Sequence, residues 1–279
     1  MRLVPLLLFV FQLTLYSQNK TLTNLPENSW YSAPNTEMAR VFPNVDPGGN
    51  TGANAIIGAW GGGTYDPIHH QMILWGGGHE DYYGNELYVF KLANLTWERV
   101  NDPSQPSLSV ERNSDGTPTS RHTYGGLAYL TAANRFFARG GSRAGDGWEV
   151  LKTWTYSFEE KMWYDMSENQ YLASGALGNS CVYDSVDNLV YFGCNDPNSG
   201  LYSYDYDENV WTRLNSDYFY LYPMTIDTKR RLLFVIGDGY LFTYDLANKN
   251  FDRVIWTTTG STQILNSGSD HFGLAYDSK

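Results

Sequence analysis

Basic residues, cysteines and long apolar stretches are all scarce in this 279-residue chain. Nineteen lysines and arginines stand against thirty aspartates and glutamates, which gives a formal net charge of −11. Proteins bind nucleic acid by replacing phosphate counterions with basic patches, so this charge argues against a nucleic-acid partner. The same charge weakly disfavours a polyanionic ligand, although a local arginine cluster can override the global field.

Only two cysteines are present, Cys181 and Cys194. Their spacing matches no zinc or redox motif. Both lie in apolar runs joined by a short turn, so a hairpin would place them nearly opposite each other on adjacent strands. A disulfide and two buried free thiols are equally compatible with this arrangement.

The one marked apolar run lies at the N-terminus, over residues 3–15. Arg2 precedes this run and the small residue Ser17 follows it, which is typical of a secretory signal peptide. The run is shorter than the roughly 20 residues needed to cross a bilayer. We therefore expect a signal peptide at 1–17, a secreted or periplasmic/extracellular protein, no membrane insertion and one domain over 18–279.

Aromatic residues and glycine are abundant, at 16% of the chain and 27 residues respectively. Short apolar strands separated by turn residues, without long helical periodicity, indicate an all-β fold. Five segments share the form of an apolar strand, a small turn and a second apolar strand. Their turns follow Tyr65, Tyr129, Tyr183, Ile226 and Tyr276, which are about 53 residues apart on average.

Each of the first four segments is followed by an aromatic strand, a polar turn and another strand. That last strand carries Trp97, Trp163, Trp211 or Phe251. Each unit is therefore predicted to be a four-stranded antiparallel sheet, and the large aromatics are expected to fill the space between neighbouring sheets. This is the arrangement of a β-propeller. The main alternative for scattered short strands is a β-sandwich.

A Gly-Gly pair, a tyrosine and a tryptophan recur at matching places in the units. These are Gly77-Gly78, Tyr88 and Trp97 in the first unit, and Gly140-Gly141, Tyr156 and Trp163 in the second. The third and fourth depart from the pattern, with Gly193-Cys194, and with Gly237-Asp238 and Phe251. The pattern resembles the kelch-like, galactose-oxidase-type β-propeller family.

That resemblance implies four blades and the start of a fifth, in a ring that is C-terminally incomplete, because kelch-like rings usually have six or seven blades. It also implies a ring-closing strand near the N-terminus. Residues 28–41 resemble the outer strand of a blade and are expected to supply it.

In a kelch-like blade, the loop entering the first strand and the loop leaving the second lie on one face. Polar and aromatic residues in these loops are candidate ligand-binding residues: His79, Glu80, Asp81, Tyr82, Arg121, His122, Tyr124, Arg143, Asn195 and His271. The topology predicts that His79 and His122 lie close together. The alternative is that these histidines cap turns, and that the arginines form surface ion pairs with residues such as Asp146.

No cofactor is predicted. The adjacent residues His79, Glu80 and Asp81 are poorly spaced for one metal ion, and the acidic residues at 205–208 fit a turn. Copper chemistry of the galactose-oxidase type needs a Tyr-His constellation and a Tyr–Cys cross-link, which the sequence disfavours. No nucleophile-elbow sequence supports a serine hydrolase.

Two functions remain open at this point. The first is a recognition module that binds a polysaccharide or a protein through its loop-rich face, where aromatic rings, amides and carboxylates suit sugars. The second is a lyase acting on uronate-containing polysaccharides, which needs a base and a cation. His79 or His122, Tyr82 or Tyr124, and Arg121 or Arg143 are the candidates for these roles. The strong negative charge counts against the second.

Overall fold

The computed structural model describes residues 19–166, 177–195, 198–260, 265 and 273–277. In chain order its strands are β1 (Gly63–Asp66), β2 (Gln71–Trp75), β3 (Leu87–Lys91), β4 (Thr96–Arg99), β5 (Arg121–His122), β6 (Leu127–Leu130), β7 (Arg135–Arg139), β8 (Ser142–Arg143), β9 (Thr153–Ser157), β10 (Met162–Asp165), β11 (Ser180–Asp184), β12 (Leu189–Cys194), β13 (Gly200–Asp205), β14 (Val210–Arg213), β15 (Met224–Asp227), β16 (Leu232–Gly237), β17 (Tyr240–Asp245) and β18 (Asn250–Trp256). The predicted signal peptide lies outside the described residues.

These strands form four antiparallel sheets of four strands each, in the orders β1-β2-β3-β4, β6-β7-β9-β10, β11-β12-β13-β14 and β15-β16-β17-β18. Strands β5 and β8 pair as a separate ribbon inserted into the second unit. The first strands of successive sheets, β1, β6, β11 and β15, contact one another in chain order. The architecture is therefore all-β and propeller-like, with the four sheets predicted from the repeat.

The turn after each first strand has a local cause. In three sheets that strand ends in a buried aspartate: Asp66, Asp184 or Asp227. Its carboxylate accepts hydrogen bonds from backbone N–H groups two or three residues later, as Asp227 does from Lys229 at 2.9 Å and Arg230 at 2.8 Å. Short polar side chains that bond the backbone in this way favour turns over continued strands.

Aromatic side chains join each sheet to the one before it. Trp163 of the second sheet lies 5.0 Å from Trp75 of the first, ring centre to ring centre. The equivalent pair between the next two sheets is Trp211 with Phe137, at 6.4 Å. Between the last two sheets it is Phe251 with Tyr191, at 6.2 Å. The fourth-strand aromatics of the repeat therefore fill the space between sheets, where large apolar rings stabilise the packing most.

The prediction of a strand over residues 28–41 is wrong. This segment contains a turn at Pro34-Asn35 and a 3₁₀ helix at Met38–Val41. Proline lacks the N–H that a strand pairing needs, and Asn35 has a positive φ of 59°. Two further helices in the described part of the chain are short, α1 at Lys20–Thr23 and α2 at Ala55–Gly58.

The N-terminal segment instead covers the first sheet. The indole N–H of Trp97 donates to the Thr36 carbonyl at 3.0 Å, and Arg99 donates to the Val41 carbonyl at 2.9 Å. Trp97 is the counterpart of Trp163 and Trp211, which pack on a preceding sheet. Residues 36–41 thus occupy the position that a preceding sheet would take.

Cys181 and Cys194 are not joined by a disulfide. Cys181 is paired in register with Phe192, so Cys194 is its diagonal neighbour on the adjacent strand. Diagonal neighbours are about 7–8 Å apart, which exceeds the Cα spacing of roughly 4.4–6.8 Å that a disulfide needs. Burial raises the pKa of the Cys181 thiol, which makes it a poor nucleophile.

Residues 273–277 form no strand. Gly273 and Leu274 nevertheless lie beside the loops that enter the first strands of the four sheets. The start of a fifth blade therefore stays a prediction. Among the residues that the structure describes, no helix is long and apolar enough to cross a membrane.

Candidate functional site

The loop that leaves β2 is held against β5 by its own backbone. The N–H groups of Gly77 and Gly78 donate to the carbonyl of Arg121, at 3.2 and 3.1 Å. This brings the next residue, His79, against His122, with 4.7 Å between ring centres and 64° between ring planes. The proximity of the two histidines predicted from the topology is present, while their role in binding stays a prediction.

Asp81 orients His122. Nε2 of His122 lies 3.0 Å from Oδ2 of Asp81. Because a carboxylate only accepts hydrogen bonds, we assign the proton to Nε2, which leaves a lone pair on Nδ1. No hydrogen bond to this Nδ1 comes from any described residue. A carboxylate-oriented imidazole with one nitrogen unengaged can accept a proton or bind a hydroxyl.

The surroundings of His122 keep it neutral. Its side chain is only 7% exposed. Burial lowers the pKa of His122, and the hydrogen bond that His122 donates to Asp81 only partly opposes this effect, while His79 adds to the lowering. The imidazole is therefore uncharged near neutral pH, the state in which Nδ1 can act as an acceptor.

The second unit packs over His79. The Gly145 N–H donates to the His79 carbonyl at 2.6 Å. A Cβ atom on Gly147 would lie 3.4 Å from the His79 ring. Within the described part of the chain, the buried Nδ1 of His79 has no hydrogen-bond partner.

Tyr124 lies on the other side of His122, with 6.0 Å between ring centres. Its φ of +48° is uncommon for a bulky residue, and so is the +46° of Trp60. The two backbones are joined, because the Tyr124 N–H donates to the Trp60 carbonyl at 2.9 Å. Burial, with a smaller contribution from Tyr220, raises the pKa of Tyr124 to about 12, so its phenol stays protonated.

A cavity of about 660 Å³ opens next to these two aromatics. Its walls are the segments that enter the first strands of all four sheets, together with Gly273 and Leu274: residues 57–63, 124–127, 179–181 and 221–224. Trp60 was not among the candidates from the sequence. Trp60 precedes Gly61-Gly62-Gly63 at the start of β1. Loops that enter the other first strands supplied candidate residues, and the same criterion applied to the loop before β1 selects Trp60.

Arg121 is not available to a ligand, which corrects its assignment as a ligand-binding candidate. The side chain is 1% exposed. Its guanidinium donates to the carbonyls of Thr119 and Gly140, at 3.2 and 3.4 Å, and lies 5.0 Å from the centre of the Trp75 ring. Burial lowers the pKa of Arg121 to about 10. Adjacent residues in a strand face opposite sides. The Arg121 side chain therefore points inward, whereas the His122 side chain faces the loop after β2.

Tyr82 is also buried, and its hydroxyl donates to Glu86 at 2.5 Å. Glu86 accepts a second hydrogen bond from Tyr88 at 2.7 Å. Burial and the Glu86 carboxylate raise the pKa of Tyr82. Tyr82 therefore holds the loop in place, and a ligand on this face would not reach it.

The other candidates lie apart from the histidine pair or are already engaged. Arg143 donates two hydrogen bonds to Asp146, at 2.9 and 2.8 Å, as the ion-pair alternative predicts. Glu80 is exposed on the loop after β2. Asn195 follows β12, and its amide oxygen is buried without a hydrogen-bond partner in the described residues. His271 lies outside the described residues.

Metal binding gains no support here. In the described ranges, no group of three or more histidine, cysteine, aspartate or glutamate side chains could hold a metal ion.

Gly78 keeps Asp81 and His122 in contact, which gives a first prediction. Its φ is +103°, and a Cβ would lie 2.5 Å from Oδ2 of Asp81 and 2.8 Å from Nε2 of His122. We expect Gly78→Ala to break this hydrogen bond and to lower the free energy of unfolding by about 2 kcal/mol. Urea denaturation measures the free energy, and NMR titration of His122 reports the loss of the bond.

Gly52→Ala is the matched control, because Gly52 also has a positive φ, +73°, but a Cβ there would meet nothing within 4 Å. It carries the backbone strain without the steric overlap. Equal losses of stability for the two variants, with His122 unchanged in its titration, would contradict the proposed role of Gly78.

No family model matches this chain. No curated protein matches it either. Among solved structures, the chain is similar to TolB from Acinetobacter baumannii, with a TM-score of 0.46 and 11% identity. The match covers 72% of this chain and 44% of that one, so this chain spans less than half the length of that structure.

Proposed function

We propose that this protein is a carbohydrate-binding β-propeller of the kelch-like type, and that the central cavity holds the sugar. The observation that carries the proposal is the aromatic pair at the cavity wall. The rings of Trp60 and Tyr124 lie 6.2 Å apart, and Trp60 is 42% exposed. Exposed aromatic faces stack on the C–H surfaces of sugars, and this pair is held in uncommon backbone conformations beside a cavity of ligand size.

Polar groups needed for sugar hydroxyls line the same cavity. Tyr124 and Ser180, which both carry a hydroxyl group, are among the lining residues. Tyr124 remains a hydrogen-bond donor, because its pKa is raised to about 12. Hydroxyls both donate and accept, so they match the hydroxyls of a sugar better than fixed charges do.

The proposal includes one feature predicted from the sequence, which is export directed by a signal peptide at 1–17. Export agrees with a protein that meets polysaccharides outside the cytoplasm.

Trp60→Ala tests the proposal. Loss of the stacking surface should weaken binding of the best glycan from an array by about tenfold, which corresponds to ~1.4 kcal/mol. Isothermal titration calorimetry with that glycan measures the change. Trp30→Ala is the control, because Trp30 is 98% exposed on the N-terminal segment and should leave affinity unchanged. Equal affinity for wild type and Trp60→Ala would contradict the proposal, as would selective binding of peptides.

A second candidate function is the uronate lyase, which the Asp81–His122 hydrogen bond favours. Nδ1 of His122 would take the proton beside the uronate carboxylate. The electron pair would form the C=C bond as the glycosidic C–O bond breaks, and Tyr124 would protonate the leaving oxygen. The step also needs a cation for the carboxylate, yet Arg121 is buried and Arg143 is paired with Asp146.

Incubation with a uronate-containing polysaccharide separates the two functions. A rise in the absorbance of unsaturated uronate that His122→Asn abolishes would favour the lyase. Binding without such a rise favours recognition alone.

A further inference from the structure

From the shape and charge of the central cavity, we infer that it takes an uncharged sugar at the end of a glycan chain. The inference rests on the proposed carbohydrate-binding function and names the class of ligand for that site. Two independent features carry it: the position of the cavity among the four sheets, and the absence of charge from its described lining.

The cavity is bounded by segments from all four sheets and not by two facing walls alone. Its walls come from the segments entering β1, β6, β11 and β15, with Gly273 and Leu274 as a further boundary. A polysaccharide that crossed this site sideways would have to pass through those walls. A chain terminus can enter lengthwise, and about 660 Å³ accommodates roughly two sugar units.

No aspartate, glutamate, lysine, arginine or histidine is among the described residues that line the cavity. An anionic sugar placed there would lose its hydration without gaining a cationic partner, which is costly. The two arginines that the sequence offered as ligand-binding candidates are committed elsewhere, Arg121 to backbone carbonyls and Arg143 to Asp146. The net charge of −11 also repels anions.

Gly58 offers a way to fill the cavity while leaving the fold intact. It ends α2, it lines the cavity, and a Cβ at this position would meet nothing within 4 Å. Because a Cβ there is unobstructed, we expect a phenylalanine side chain to fit at this position and to narrow the cavity. Gly58→Ala adds only one methyl group at the same position and is the matched control.

The test uses a neutral oligosaccharide series built from glucose, galactose or mannose, in lengths of about two to six units, measured by calorimetry. We expect affinity to stop rising beyond about two or three units. Chemical blocking of one chain end should weaken binding by about tenfold, and replacing the terminal sugar with its uronate should do the same. Gly58→Phe should abolish binding, and Gly58→Ala should retain it.

Affinity that keeps rising with chain length, or uronates that bind as tightly as neutral sugars, would overturn the inference. If such binding still depends on Trp60, the proposed function stands and only the ligand class is wrong. If none of these glycans binds, the proposed function fails as well. If Gly58→Phe binds like wild type while Trp60→Ala does not, the sugar lies outside the cavity and the inference is wrong.

Discussion

Arg121→Ala should lower the free energy of unfolding by about 3–5 kcal/mol. The guanidinium is buried, stacks on Trp75 and donates to the carbonyls of Thr119 and Gly140. Its removal leaves a cavity beside Trp75 and deprives buried carbonyl groups of their donors, each of which costs stability. Urea denaturation followed by tryptophan fluorescence measures the change.

Arg143→Ala is the control, because Arg143 is the register partner of Arg121 in the β5–β8 ribbon. Its pair with Asp146 is partly exposed, at 21% and 28% of the side chains, and should contribute only about 0–1 kcal/mol. If Arg121→Ala left the unfolding midpoint unchanged and weakened glycan binding instead, Arg121 would be a ligand-binding residue after all.

Arg231→Ala should have an effect of similar size, about 3–5 kcal/mol, by separating the third and fourth sheets. Arg231 lies on the turn after β15 and donates to both oxygens of Asp184 on β11, at 2.7 and 2.5 Å. The Asp184 side chain is fully buried. Without Arg231, a buried carboxylate is left without its cation, which is more costly than the loss of an exposed pair.

The neighbouring Arg230 provides the control for this prediction. Arg230 also bonds an aspartate, Asp227, at 2.7 Å, but its side chain is 73% exposed. Arg230→Ala should therefore change the free energy of unfolding by less than about 1 kcal/mol. Equal midpoints for the two variants in urea would contradict the view that the Asp184–Arg231 pair holds two sheets together.

The repeat in the sequence predicted the hairpins well, because each hairpin is defined locally. The predicted turns follow Tyr65, Tyr129, Tyr183 and Ile226, and each observed first strand ends one residue later. In three of the four, the aspartate that ends the strand accepts hydrogen bonds from the next backbone N–H groups, which makes these turns independent of the rest of the fold. The fourth-strand aromatics were equally predictable, since only large rings fill the space between sheets.

Side-chain direction within short strands was not predictable. Arg121 and His122 are adjacent in β5, a strand of two residues, and no pattern of alternation can be read over two residues. The sequence therefore grouped both with the ligand-binding face. The structure shows that the arginine packs on Trp75 and the histidine meets Asp81.

The strand predicted for the N-terminal segment was wrong for a different reason. Residues 28–41 share an aromatic and apolar pattern with a true outer strand, but Pro34 and the turn at Asn35 prevent strand pairing. The local resemblance to an outer strand could not show that the segment instead packs against Trp97 of the first sheet. Which partner a segment packs against is a long-range property, and single-sequence patterns carry little information about it.

The order of the strands bears on how the chain folds. Among the described residues, every pair of neighbouring strands in a sheet lies within one unit of the repeat, including the β5–β8 ribbon. A growing chain can therefore complete each sheet before the next one is synthesised, with little entropy lost in closing long loops. Each new sheet then covers the aromatic face of the one before it. At every stage of synthesis, the aromatic face of the newest sheet is exposed until the next sheet covers it. Premature association between chains would begin at that exposed face.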